Sequence, residues 1–109
     1  MLFADRIKQL REQRRMPQRH LAAALEIDTA TYCKIERGER RAKREQISIL
    51  AGLFETDKDL LLNLWLAEQL YYVLKDEENA EKVLDIVLES VIEYKSGLKN
   101  EKYETTGKI

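Results

Sequence analysis

The 109-residue chain has few of the residues that build disulfide frameworks, β-sheets or metal sites. Its single cysteine excludes an internal disulfide. The chain has one histidine in addition to that cysteine, and these two residues alone form neither a cluster of metal ligands nor a catalytic base with its partner. One proline and four glycines, in a chain with 36% charged residues, favour long helices over a sheet.

The sequence also has no apolar run of about 18 residues, the length that crosses a membrane. The first turn already contains Asp5, Arg6 and Lys8, unlike a secretory signal peptide. It shows no nucleophile–base pair, no glycine-rich phosphate loop and no paired catalytic acids. We therefore expect a soluble, cytoplasmic protein that is not an enzyme, needs no cofactor or metal, and has no membrane partner.

Charge is distributed unevenly along the chain. Residues 1–44 contain 12 Lys and Arg against 6 Asp and Glu, whereas residues 45–109 contain 7 against 14, for a net charge of −1. All nine arginines lie at or before Arg44. Because arginine makes forked contacts with phosphates and guanine edges, the basic part is a candidate for nucleic-acid binding. We expect the acidic part to contact a protein or solvent.

Residues 17–44 predict two short helices joined by a tight turn. Asp28 is a good N-cap for the second helical run, residues 29–37, and Gly38 permits the left-handed conformation that ends a helix. Small, polar and basic residues on the outer side of such a helix fit a DNA major groove. Apolar residues at helical spacing support the first helix and its turn: Leu21, Ala22, Leu25 and Ile27.

This stretch resembles the Cro/repressor-like (XRE-type) helix-turn-helix family, with the pattern Q-x-x-L-A-x-x-L-G-[VI]-[ST]-x-x-[ST]-[IV]-x-x-[IL]-E-[RN]-G. The likeness covers roughly residues 3–62. Glu26 replaces a glycine and carries strain of about 1–2 kcal/mol if it is left-handed. Pro17 replaces a capping Ser or Thr, and Tyr32 replaces an aliphatic residue. The matching residues are Gln18, Leu21, Ala22, Leu25, Ile27, Thr31, Ile35, Glu36, Arg37 and Gly38.

The resemblance implies an all-α fold: a five-helix, lambda-repressor-like helix-turn-helix domain with an extra C-terminal helix. We place the DNA-binding domain at residues 1–75, a C-terminal dimerisation helix at residues 76–97 and a flexible tail at residues 98–109. The resemblance also implies an ion pair between Glu36 and Arg11 behind the motif, because an acid facing DNA would repel its phosphates.

DNA contacts are predicted on the second motif helix and around it. Lys34 is suited to guanine O6 and N7, and Thr29 and Ala30 to a thymine methyl group, with solvated helix surface as the alternative. The residues predicted to contact bases are Thr29, Ala30, Lys34 and Cys33, although Cys33 is also explained as a small residue tolerated there. The residues predicted to contact phosphates are Gln18, Arg19, Thr31, Arg37, Arg40, Arg41, Lys43 and Arg44.

The helix predicted at residues 57–74 is apolar on nearly all sides, so more than the first four helices must cover it. The helix after it has an apolar stripe opposite acidic residues. We interpret both as the interface of a homodimer. For Trp65, Tyr71 and Tyr72 we expect a place in the core or in this interface, with the lining of an effector pocket as the alternative. The predicted interface residues are Leu62, Trp65, Leu66, Tyr72, Val83, Leu84, Val87 and Val91.

Together these features predict a sequence-specific regulator of transcription that binds double-stranded DNA. We expect a homodimeric repressor that reads a pseudo-palindromic operator. The size and layout resemble both a restriction–modification controller and an antitoxin. In either case a second protein, a toxin or the transcription machinery, is a possible partner. Two other classes stay open: an adaptor that docks proteins on residues 57–74, and a ligand-sensing regulator.

Overall fold

The structure is a computed structural model that describes the backbone of residues 2–103 and the side chains of residues 2–98. Within this range the chain forms six α-helices and no strand, which confirms the predicted all-α fold. The chain divides into two compact units: Met1–Tyr72, here called the head, and Val73–Ile109, here called the C-terminal unit. The helices are α1 (Phe3–Gln13), α2 (Gln18–Leu25), α3 (Thr29–Glu36), α4 (Arg44–Phe54), α5 (Lys58–Leu74) and α6 (Ala80–Tyr103).

Two residues set the turn between α2 and α3. Glu26 ends α2 at φ 59° and ψ 43°, in the left-handed region, where a non-glycine residue is strained by about 1–2 kcal/mol. Asp28 caps α3, since its Oδ1 accepts a hydrogen bond from the Thr31 backbone N–H at 2.6 Å. This hydrogen bond lowers the pKa of Asp28 below its ordinary value. The turn therefore has a strained backbone at Glu26 and a stabilising N-cap at Asp28.

The head core lies between α1, α2, α3 and α4 and extends onto α5. Helix α3 packs against α1 and α2, and α4 packs against the same two helices. Burying one large apolar side chain stabilises a fold by about 1.5–3 kcal/mol, so this core fixes α3 from its inner side. The largest fully buried side chains are Tyr32, Phe3, Phe54, Ile7, Leu21, Ile47, Leu50 and Leu61.

Helix α6 begins and ends later than predicted. It starts at Ala80 rather than residue 76, and the carbonyl oxygen of Asn79, the residue before it, accepts the Val83 backbone N–H at 3.0 Å. It continues to Tyr103, so the predicted flexible tail was wrong for residues 98–103. A single glycine, Gly97, costs a helix only about 1 kcal/mol. The rest of that tail, residues 104–109, lies outside the described residues.

The apolar side chains of α6 lie at its surface. Each large apolar side chain between Ala80 and Leu98 is at least 36% exposed, and Tyr94 reaches 67%. Exposed apolar side chains in such number on one helix are uncommon on the surface of a monomeric domain. The side chains are Val83, Leu84, Ile86, Val87, Leu88, Val91, Ile92, Tyr94 and Leu98.

Candidate nucleic-acid interface

Helix α3 has a buried side and an exposed side. Its inner residues Tyr32, Ile35 and Glu36 are at most 5% exposed, and its outer residues face solvent. The outer residues are Thr29, Ala30 and Lys34, which offer a hydroxyl with a methyl group, a methyl group and an ammonium group. Groups of this kind reach base edges in a major groove. The structure thus brings three of the four predicted base-contacting residues together on one exposed surface.

Glu36 lies beneath this surface and accepts hydrogen bonds from three residues. Its Oε2 accepts from Arg11 Nε and from the Tyr32 hydroxyl, each at 2.6 Å. Its Oε1 accepts from Arg11 Nη2 and from Gln18 Nε2, each at 3.1 Å. The structure therefore brings the expected pair Arg11 and Glu36 together and adds two further donors.

The same contacts shift three pKa values. Burial by itself raises the pKa of Glu36, but the hydrogen bonds outweigh it and lower this pKa below its ordinary value. The hydrogen bond to Glu36 raises the pKa of Arg11. Burial, together with the hydrogen bond to Glu36, raises the pKa of Tyr32. At neutral pH the cluster therefore holds a charged carboxylate, a charged guanidinium and a neutral phenol.

Gln18 and Cys33 are engaged with each other. The Cys33 thiol donates to Gln18 Oε1 at 3.1 Å, and Gln18 Nε2 donates to Glu36. Both the Nε2 and the Oε1 of Gln18 are therefore engaged inside the head, and its contact with a DNA phosphate stays a prediction. The thiol of Cys33 points to Gln18, and the assignment of Cys33 to the bases likewise stays a prediction. The contact between the two residues depends on tertiary packing of α2 on α3, which helical periodicity does not show.

The cations predicted to contact phosphates differ in their surroundings. Arg37 forms an exposed ion pair with Glu39, Nε to Oε2 at 3.0 Å, and this hydrogen bond raises the pKa of Arg37. The guanidinium carbon of Arg41 lies 3.5 Å from the ring centroid of Trp65, a cation–π contact. Thr31 is half-buried at the start of α3. Arg37 and Arg41 are themselves exposed, and the other exposed cations of the predicted set are Arg19 on α2 and, after α3, Arg40, Lys43 and Arg44.

A family model described as "Helix-turn-helix domain" matches residues 2–64. The match covers more than half of the 109 residues. The chain belongs to the helix-turn-helix domain family. No curated protein and no solved structure matches it. The family match confirms the helix-turn-helix resemblance and supports a DNA-binding regulator. Both α2 and α3 lie within the matched residues.

Sequence analysis missed two contacts that α5 makes with this helix-turn-helix domain. Glu68 Oε2 accepts the Ala4 backbone N–H at 3.0 Å, at the first turn of α1. The Tyr72 hydroxyl lies 2.7 Å from the point where a Cβ at Gly38 would stand. Gly38 has φ 76°, which confirms the predicted left-handed end of α3. Glu68 is an isolated acid in an apolar helix, and this could have indicated a specific contact. Nothing in the sequence pattern indicated the contact of Tyr72 with Gly38.

One predicted interface residue belongs to the core of the helix-turn-helix head. Trp65 is 7% exposed, and its indole N–H donates to the Ala42 carbonyl oxygen at 2.8 Å. This burial favours the core over the subunit interface, the two places expected for Trp65, since a helix that is apolar all round does not show which side packs inward. Leu62 is half-buried. The exposed members of the predicted set are Leu66, Tyr72, Val83, Leu84, Val87 and Val91.

The described residues lack two further kinds of site. That part of the chain holds no group of three or more His, Cys, Asp or Glu side chains arranged to bind a metal ion. None of its helices combines the length and the apolar character needed to cross a membrane.

Proposed function

We propose that this chain is a sequence-specific regulator of transcription that binds double-stranded DNA and acts as a homodimeric repressor on a pseudo-palindromic operator. The outer side of α3 carries this proposal. Its exposed residues Thr29, Ala30 and Lys34 stand on a helix whose inner side is buried and hydrogen-bonded through Glu36. A helix held this firmly can present side chains to base edges at a constant depth.

The three exposed side chains suit different base edges. Lys34 donates to O6 and N7 of guanine, and the methyl groups of Thr29 and Ala30 pack on the methyl group of thymine. Each good contact of this kind contributes about 1–3 kcal/mol of discrimination against the wrong base. One short helix therefore supplies only modest specificity.

The exposed cations around α3 supply affinity without sequence preference. Arg19, Arg40, Lys43 and Arg44 are free to approach phosphates, and each phosphate contact releases counterions. The exposed ion pair of Arg37 with Glu39 contributes little by itself, so Arg37 can exchange this partner for a phosphate. Arg41 is stacked on Trp65, and we assign it to the edge of this surface.

Helix α6 supports the homodimer. Its apolar residues recur at alternating spacings of four and three, the heptad spacing of paired helices. A second copy carries the same stripe, so the two surfaces complement each other about a two-fold axis. Fully covering one such side chain contributes about 1.5–3 kcal/mol. The stripe consists of Ala80, Leu84, Val87, Val91, Tyr94 and Leu98, and the last five are exposed in the single chain.

Dimerisation and DNA reading are linked by geometry. In a two-fold dimer the two α3 helices enter successive major grooves, with half-site centres roughly 34 Å apart. Two half-sites double the number of base contacts, and this turns the modest discrimination of one helix into useful specificity. A dimer bound across a promoter would block access to it, which is the repression we propose.

Selection of bound duplexes from a random pool tests this function. The expected product is a pseudo-palindrome with half-site centres about one helical turn apart. Val87→Asn leaves the head unchanged and should enrich isolated half-sites, whereas Ile86→Asn, at a neighbouring exposed position outside the stripe, should behave as the parent. A pool that stays random would contradict DNA reading and favour the protein-docking adaptor. An asymmetric site would contradict the dimer.

A further inference from the structure

Glu36 joins three helices through one carboxylate. Arg11 reaches it from α1, Gln18 from α2, and Tyr32 from α3 itself. The Glu36 side chain is 2% exposed, and each of its oxygens has two protein donors. Hydrogen bonds to a charged group contribute about 1.5–3 kcal/mol each, so the carboxylate strongly favours the arrangement that satisfies all four.

Tyr32 contributes a bond that an aliphatic residue cannot make. It is fully buried, and it stands one turn before Glu36 on the same helix. A bond within one helix does not join two elements. Its effect is to fix the rotamer of Glu36, and so to direct the carboxylate towards Arg11 and Gln18.

Gln18 ties the first residue of α2 to two points on α3. Its Nε2 donates to Glu36 at the end of α3, and its Oε1 accepts from Cys33 one turn earlier. Two points of attachment on one helix restrict rotation about its axis. Rotation of α3 decides how Thr29, Ala30 and Lys34 face the bases, and recognition tolerates only about 10–20° of misorientation.

We propose that Tyr32 and Gln18 are positioning residues for base recognition, which act through Glu36 to fix the rotation of α3 and do not themselves contact DNA. This role rests on the DNA-binding function proposed above. It differs in a measurable way from a phosphate contact by Gln18. A lost phosphate contact weakens all duplexes alike, whereas a freely rotating α3 weakens the selected sequence more than a random one.

Two variants remove the hydrogen bonds and keep the shape of the side chains. Tyr32→Phe retains the buried ring, and Gln18→Met retains the length of the side chain without a donor or acceptor. The matched controls are Tyr71→Phe, which removes a hydroxyl at a position 50% exposed, and Gln13→Met at an exposed position on α1. Affinity is measured for the selected duplex and for a random duplex of equal length, well below the midpoint of thermal unfolding.

Each positioning variant should bind the selected duplex about threefold to tenfold more weakly than the parent does, which corresponds to part of the free energy of one charged hydrogen bond. Its affinity for the random duplex should stay within about twofold of the parent's. Repeated selection should yield a broader base preference. The controls should match the parent in both respects. Because nearly all molecules are folded under these conditions, a loss of stability alone leaves both affinities unchanged.

The positioning role alone would be overturned if the parent protein selects a sequence but the variants lose affinity equally for both duplexes, or lose none. A parent that selects no sequence would overturn the proposed function and this role with it.

Discussion

Glu36→Ala removes the acceptor of four hydrogen bonds from three residues. The variant leaves Arg11 charged, 14% exposed in its side chain, and bonded through Nη1 to the Met16 carbonyl oxygen at 3.0 Å. Breaking one side of a buried ion pair costs about 3–5 kcal/mol. Since Arg11 keeps one acceptor and some contact with water, we expect about 3 kcal/mol. For a head of this size that lowers the thermal midpoint by roughly 12–24 °C.

Urea unfolding at a fixed protein concentration measures this loss. Trp65 is the only tryptophan and lies in the head core, so its fluorescence reports the unfolding of the head. The set comprises Glu36→Ala, Arg11→Ala, the double variant and Glu39→Ala as the exposed-pair control. We expect a far smaller loss for the control. We also expect the double variant to lose less than the two single losses together, because each single variant strands its partner. Single losses that add within about 0.5 kcal/mol would refute the pairing.

The loss of unfolding free energy in Glu36→Ala should depend on pH in one direction. The folded-state pKa of Glu36 lies below its ordinary value of 4.5, so its contribution is fully present above that pH. The contribution is lost as the pH falls through the folded-state pKa. The stability difference between parent and Glu36→Ala should therefore be constant near neutrality and shrink in acid. A difference that grows as the pH falls would contradict the lowered pKa.

Three further sets of variants test other parts of the molecule. Arg40→Ala or Arg44→Ala should weaken selected and random duplexes alike and reduce the slope of log affinity against log salt by about 0.9, in a binding series with salt. An unchanged slope would exclude a phosphate contact. Val87→Asn should shift the mass in light scattering from about twice 12.8 kDa towards the monomer, whereas Ile86→Asn should not, and a monomeric parent would contradict the dimer. Gly38→Ala should cost about 1–2 kcal/mol in urea, because its φ of 76° is left-handed, and a neutral result would contradict that conformation.

Local signals were enough to predict the motif from the sequence. Asp28 as an N-cap and Gly38 as a left-handed helix end depend on one turn of chain, and both stand as expected. The heptad stripe of α6 is also a property of spacing alone. The start of that helix differs from the prediction. Both Asp76 and Asn79 are residue types that cap helices, so the sequence allows two starts, and the helix begins after the second of them.

The inward contacts of the head were not predictable in the same way. Helix α5 is apolar on nearly every side, so no pattern indicated that Trp65 faces the core and donates to Ala42. Gln18 and Cys33 lie 15 positions apart, and their contact depends on how α2 packs against α3. Periodicity shows which side of a helix is apolar, whereas hydrogen bonds between helices depend on their packing.

The claim that α3 reads bases is tested most directly by the specificity of Lys34→Ala. Both Lys34 and Lys8 are exposed lysines of the head, so Lys8→Ala removes an equal charge from α1 and serves as the matched control. Lys34→Ala should lose about 1–3 kcal/mol, roughly fivefold to 150-fold, on the selected duplex, and little on random DNA. Lys8→Ala should leave the ratio of the two affinities unchanged. A Lys34→Ala variant that binds both duplexes equally weakly, or as tightly as the parent, would contradict base reading by α3.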